Sequence, residues 1–330
     1  MPELRQDPLT GIWVMISPER KKRPQYLDLS RKFNLKPDIC PFCERNEYMT
    51  PPEIYAVRKD NSEANKTGWK LRVVPNKYPA LSAKEELNKI EDQIYNKMNG
   101  VGAHEVIIES DSHDTGIDEM EVEQIKQIFV SYKRRILGLK RDKRFKYIQV
   151  FKNHGIEAGS SIHHPHSQII ALPVIPSKVM DRLSNTENYF KLHNRCLFCD
   201  ILDYERSYNK RVLFKNRDFI VFASYAPKFP FELIICPIKH ISSYERTPDK
   251  NFMSLAEILK QTMKKIGKVL DNPAYNLLLH NSPFIKNCEP YFHWYVELIP
   301  IVSGTGGFEL ATNCYINPIP PEESIQILEK

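Results

Sequence analysis

Residues 163–168 read His-His-Pro-His-Ser-Gln, three imidazoles within four positions. Near neutral pH an imidazole can ligate a metal, attack an electrophile or carry a proton, so the first question is which of these His163, His164 and His166 do. Two further segments, Cys40-Pro-Phe-Cys43 and Cys196-Leu-Phe-Cys199, have the spacing of metal or redox chemistry. A redox pair opens a helix after a strand in a thioredoxin-like unit. Neither pair has that context, which leaves zinc. The other thiols, Cys236, Cys288 and Cys314, lack such partners and are expected to pack as small hydrophobes.

A tetrahedral zinc needs two more ligands beside each pair, and the chain offers them twice in one order. After the first pair, the apolar run of HEVIIESDSH ends at His113; a helix-like segment (roughly 117–138), the strand-like YIQVF and then His164 follow. After the second, FELIICPIKH ends at His240; a helix-like segment (roughly 250–270), the strand-like YNLLLH and then His293 follow. The two histidine intervals are 51 and 53 residues. This points to a duplicated unit with two zinc sites per chain, one of Cys40, Cys43, His113 and His164, the other of Cys196, Cys199, His240 and His293. The bland alternative is that His113 and His240 are turn residues ending strands.

The elements that must position these groups are short β-rich runs, more numerous than the roughly four long helical patterns. With one helix inserted per copy and no phosphate-binding glycine loop, they predict an α+β fold with a mostly antiparallel sheet and flanking helices. Residues 1–173 form the first unit in this reading and 196–330 the second. The Pro-flanked stretch 174–195 is a helical connector, with the boundary near residue 185.

In an extended strand His164, His166 and Gln168 share a face and His163 lies on the other, so His163 is taken as a bystander. If His164 binds zinc, His166 is left beside the metal with a free imidazole, a good nucleophile toward phosphorus whose adduct can pass the group on. Charge then builds on the phosphoryl oxygens, and the Gln168 amide is placed to donate to them.

Composition narrows the partners. The chain has 330 residues, is 42% hydrophobic and carries a formal charge of +6 from 47 basic and 41 acidic residues. That balance suits anionic small molecules without requiring nucleic acid. The basic run 132–147 is expected to be a solvated helix end, with Gly138 as its cap. No window approaches a membrane span and the N-terminus has no apolar leader core, so a cytoplasmic location is expected.

The HPH-x-Q element, the two Cys-x-x-Cys sets, the FKN-x-G segment at 151–155 and the tail GGFELATNCYINPIPPEE together resemble the galactose-1-phosphate uridylyltransferase branch of the histidine-triad superfamily, from about residue 4 to residue 326. The resemblance implies a duplicated histidine-triad-like fold and a double displacement in which His166 holds a uridylyl group between a nucleotide sugar and a sugar 1-phosphate. It places the chain in galactose metabolism, as a homodimer. It implies phosphate contacts from Asn153, Ser161 and Gln168, a nucleoside contact from Asn76, phosphate-side arginines Arg20 and Arg23, and a sugar contact from Glu309. Hydrolytic members carry a third histidine where Gln168 stands, so Gln168 implies transfer over hydrolysis. The second copy reads HWYVE, with Tyr295 in place of the nucleophile, implying one active site per chain. Glu297 and the absence of a second histidine there, Ser303 or its neighbours where a lysine is expected, and the GGFE and CYINP segments resemble plant-type members that act on ADP-glucose with phosphate as acceptor. A non-catalytic nucleotide-binding zinc module is the third reading.

Overall fold

The computed structural model describes residues 3–16, 39–58, 62–285 and 287–330. Arg20 and Arg23 lie outside them. In chain order the elements are β1 (Glu3–Gln6), β2 (Trp13–Ile16), β3 (Tyr55–Arg58), β4 (Trp69–Pro75), the hairpin β5 (Ile90–Asp92) and β6 (Tyr95–Lys97), β7 (Ala103–Ile108), α1 (Val122–Leu139), β8 (Tyr147–His154), β9 (His166–Leu172), α2 (Ser177–His193), α3 (Leu197–Tyr208), β10 (Val212–Lys215), β11 (Phe219–Phe222), β12 (Leu233–Pro237), α4 (Asn251–Leu270), β13 (Tyr275–His280), β14 (Tyr295–Pro300), α5 (Gly307–Thr312), β15 (Tyr315–Asn317) and α6 (Pro321–Glu329).

The α+β expectation holds: ten strands form one antiparallel sheet in the order β10-β11-β12-β14-β13-β8-β9-β7-β4-β3. Reading inward from either edge, the same sequence of elements appears: hairpin, third strand, then two strands in reversed order around a helix crossover. The two series join where β8 pairs with β13, and Phe151 opposite Leu278 is the centre of that register. Apolar residues at alternate positions, such as Val150, Ile169, Leu277 and Leu279, face α1 and α4 in one shared core. Both helices bury one stripe, for example Ile125, Phe129, Tyr132 and Ile136 on α1.

A second, three-stranded sheet joins the chain ends, β2 pairing antiparallel with β1 and parallel with β15. Arg5 and Arg211 both bind the Glu322 carboxylate of α6, at 3.1 and 2.7 Å.

Two details differ from expectation. Gly138 lies inside the last turn of α1, and the Lys140 amide closes the helix onto Gly138 and Ile136 carbonyls. The basic run is also not simply solvated: Arg135 makes a bidentate pair with Glu105, both bonds 2.7 Å, and Lys133 binds Asp249 at 2.6 Å. Helix α1 packs on other elements on both sides, so its cations meet carboxylates of β7 and of the turn before α4. Cys236 and Cys288 are buried and Cys314 partly so. Among the described residues no helix is long and apolar enough to cross a membrane.

Candidate active site and metal-binding clusters

Each Cys-x-x-Cys pair meets the two histidines assigned to it. In both groups the candidate ligand atoms lie within 4.8 Å of one another. Cys43 Sγ stands 3.2 Å from His113 Nδ1 and 3.5 Å from His164 Nδ1; Cys199 Sγ stands 3.2 Å from His240 Nδ1 and 3.6 Å from His293 Nδ1. A tetrahedral zinc with Zn–S of about 2.3 Å and Zn–N of about 2.0 Å sets its sulfur and nitrogen ligands about 3.5 Å apart, so the donor set fits that ion. The outer nitrogens agree. His164 Nε2 is 2.8 Å from Ser110 O, His240 Nε2 is 2.8 Å from Glu289 O, and His293 Nε2 is 3.0 Å from Pro237 O. A proton on Nε2 given to a carbonyl leaves Nδ1 as the metal-facing lone pair.

His164 ends the loop before β9 and His166 opens the strand, with Pro165 between them. His166 Nδ1–H donates to the His164 carbonyl at 2.8 Å. Its Nε2 is thus the free lone pair, and among the described residues nothing bonds to it. Burial holds the His166 imidazolium unfavourable and its pKa below the usual histidine value; the same cause lowers His164 to about 4. The ring of Phe42, from within Cys-Pro-Phe-Cys, lies edge-on to His166 with centroids 5.2 Å apart.

His166, Gln168, Asn76, Ser161 and Phe42 line one cavity of 180 Å³. Asn153 is not among its lining residues: its side chain donates to Gly159 O and accepts from Asn276 Nδ2 across the β8–β13 seam, at 3.4 and 2.9 Å. Glu309 lies on α5, where its carboxylate accepts from Gly306 N at 3.1 Å, and it does not line the cavity either. His163 is exposed, 3.4 Å from Asp114.

Sequence reasoning missed three groups. His104 of β7 lies 2.8 Å from Gln168 Oε1, and its Nδ1 accepts from Ala80 N at 3.3 Å. That acceptor fixes the proton on Nε2, so His104 donates to the Gln168 carbonyl oxygen and leaves the Gln168 NH2 for the cavity. Directly behind β9, Lys152 and Glu109 form a pair at 2.5 Å, 2% and 0% exposed. Glu109 also accepts from Ser167 at 2.6 Å, and Tyr132 donates to Ser167 at 2.7 Å. Lys152 reaches the His166 carbonyl as well, at 3.3 Å. The third is Asn276, which holds Asn153 from the other half of the sheet. The alternation of β7 puts His104 on the Gln168 face and could have revealed it; nothing in the sequence distinguishes a buried Lys152 from an exposed one.

The second copy repeats the frame with other side chains. Tyr295 stands at the first position of β14 and Glu297 at the third, as His166 and Gln168 do in β9. Glu297 binds Lys228 at 2.9 Å and His280 at 2.7 Å. Burial opposes charge on Glu297, yet Lys228 and His280 hold its carboxylate well below the usual range, while burial pushes Glu232 up to about 8. Arg182 of α2 lies over the Tyr295 ring at 5.3 Å, and the turn Asp7–Ile12 packs in front. The space left is 20 Å³.

The family models for galactose-1-phosphate uridyl transferase match residues 1–176 (N-terminal domain) and 182–303 (C-terminal domain). The chain is 38% identical to ADP-glucose phosphorylase of Arabidopsis thaliana, covering all of this chain and 93% of that protein. It is 26% identical to galactose-1-phosphate uridylyltransferase of Thermotoga maritima, covering 100% and 98%. The crystal structure of the Arabidopsis thaliana ADP-glucose phosphorylase with bound ADP-glucose superposes with a TM-score of 0.84 at 35% identity, over 100% of this chain and 99% of that one. Two domain models in the expected order and a full-length relative above one-third identity leave one assignment: this chain is a member of the galactose-1-phosphate uridylyltransferase family of nucleotidyltransferases.

Proposed function

We propose that the protein moves a nucleoside monophosphate from a nucleotide sugar to a phosphate-bearing acceptor through His166. The observation that carries this is the free Nε2 of His166, neutral and facing a cavity beside the Gln168 amide. Nε2 attacks the α-phosphorus; the N–P bond forms as the bridging P–O bond breaks and the electron pair leaves on the sugar 1-phosphate. A phosphate oxygen of the acceptor then attacks phosphorus and the N–P bond breaks, returning the imidazole. As the adduct forms, the positive charge on the ring is shared through Nδ1–H with the His164 carbonyl. Gln168 and Ser161 donate to the phosphoryl oxygens and Asn76 meets the nucleoside. Asn153 is held ready by Asn276, Arg20 and Arg23 are phosphate-side residues, and Glu309 contacts sugar.

The likeness at 38% over the whole chain favours ADP-glucose as donor and phosphate as acceptor. UDP-glucose with hexose 1-phosphate is the second reading, favoured by the family models and by the Thermotoga maritima relative. Zinc in both clusters, two per chain, is the metal that thiolate and imidazole donors at these distances favour. When bound, it fixes His164 and therefore the carbonyl that orients His166. A homodimer is part of the same reading.

Intact-mass measurement after incubation with UDP-glucose or ADP-glucose and no acceptor tests the reading. An AMP adduct supports the first donor and a UMP adduct the second. No adduct with either, or one that persists in His166→Ala, overturns the covalent route.

A further inference from the structure

The basic run at the end of α1 has no part in this chemistry, yet three of its lysines share a cavity. Lys140, Lys143 and Lys146 line a space of 310 Å³ with Arg246 and with Ser242, Ser243 and Ser282. The cavity lies between the two halves. Lys146 immediately precedes β8 and Ser282 follows β13, so it sits at the opposite end of the seam from Asn153, about 20 Å along β8.

Its acids are already occupied. Asp142 binds Arg144 at 2.7 Å, and Glu289 binds Arg246 at 3.2 Å. Lys140 spends its charge on Glu245 at 2.6 Å while lying over the Phe284 ring. Lys143 and Lys146 have no carboxylate partner among the described residues; Lys146 Nζ donates only to the Lys143 carbonyl, at 3.1 Å. The three serines are 5%, 3% and 6% exposed, and among the described residues none of their hydroxyls has a hydrogen-bond partner. These three hydroxyls remain available to a polar ligand that enters the cavity. Concave walls with unspent cations concentrate anions. The volume is at the lower end of small-ligand pockets (roughly 300–1,000 Å³) and exceeds what a bare oxyanion fills. Phe145, Phe284 and Ile285 supply an apolar wall for the remainder.

We propose that this cavity binds a small phosphomonoester, with its phosphate between Lys143, Lys146 and the serine hydroxyls and its organic body against Phe145 and Phe284. The ligand would touch both halves at once, Lys143 and Lys146 from one and Ser282 and Ser242 from the other. The inference does not depend on the nucleotidyl-transfer reading.

Calorimetric titration of the full chain with glucose 6-phosphate, in the presence of excess AMP and UMP to fill the His166 cavity, tests it. The expected result is one equivalent per chain, weakened at least about tenfold in Lys143→Ala/Lys146→Ala, because charge-assisted hydrogen bonds to the phosphate are lost. Ser282→Ala should weaken it less, and Gln168→Ala should leave it unchanged. Absence of binding, an unchanged affinity in the lysine double variant, or loss of binding in Gln168→Ala overturns the proposal.

Discussion

The first strand-opening residue of β9 is a histidine facing 180 Å³ of open cavity, and that of β14 is a tyrosine facing 20 Å³. Both stand two residues after a cluster histidine, and both lean on the aromatic residue of a Cys-x-x-Cys segment, Phe42 in one case and Phe198 in the other. The frame of cysteines and histidines that could hold a metal is therefore common to the two halves, and the open cavity beside it is not. What the second half lacks is an unpaired donor and room. Glu297 is tied to Lys228 and His280, and Arg182 and the Asp7–Ile12 turn occupy the space that the first half leaves open.

The sharpest way to break this comparison is to exchange the two strand-opening roles. His166→Ala should lower nucleotidyl transfer by about 10⁴-fold or more, as removal of a covalent nucleophile does, while Tyr295→Phe should leave turnover within about twofold. Comparable losses in both would mean that the second half takes part in the reaction. Metal content offers the next test. Cys40→Ser and Cys196→Ser should each remove one equivalent by elemental analysis, but only Cys40→Ser should also abolish adduct formation, because only that cluster includes His164. The buried pair behind β9 has no counterpart behind β14, where Leu279 takes the place of Lys152. Lys152→Met strands the Glu109 charge and should cost about 3–5 kcal/mol in urea unfolding, against about 1 kcal/mol for Leu279→Met. Gln168→Ala should lower kcat by about 10²- to 10³-fold, in the range for loss of one donor to a developing anion, with Glu297→Gln affecting stability instead.

The smallest effect is a pH dependence carried by both halves. Burial lowers His154 and His280 to about 4, so each is neutral in the fold and titrates near 6.5 when unfolded. Between these values the unfolded chain binds more protons, and stability falls as pH drops from about 6.5 toward 4, by roughly 1 kcal/mol per pH unit for each histidine. Urea midpoints at pH 7 and pH 5 measure it, and His154→Gln should flatten the slope.

Much of this was legible because it is local or periodic. The two ligand sets follow from residue type and order, the antiparallel sheet from short alternating runs, and α4 from its apolar stripe. Helix α1 begins at Val122 instead of near 117 because Gly116–Met120 forms a separate turn, with the Glu119 and Met120 amides on the Gly116 carbonyl at 3.1 and 2.9 Å, and Glu121 after it is extended. Partner choice across the sheet was not legible. Alternation says that Lys152 and Glu109 each face one side of a strand, and gives no sign that they face each other. The plug in the second half is harder still: Asp7, Arg182 and Lys228 come from three separate segments, and only the closed fold brings them to Glu297.

The register of β8 on β13, centred on Phe151 and Leu278, has the form of a two-fold contact contained within one chain. In a symmetric pair of identical subunits every substitution at such a contact is made twice, so the two faces cannot differ. Here the covalent link releases that constraint position by position. Lys152 and Leu279 occupy corresponding places about the centre, one holding a charge beneath His166 and the other filling the core. The seam therefore joins the halves mechanically while leaving each free to be tuned alone.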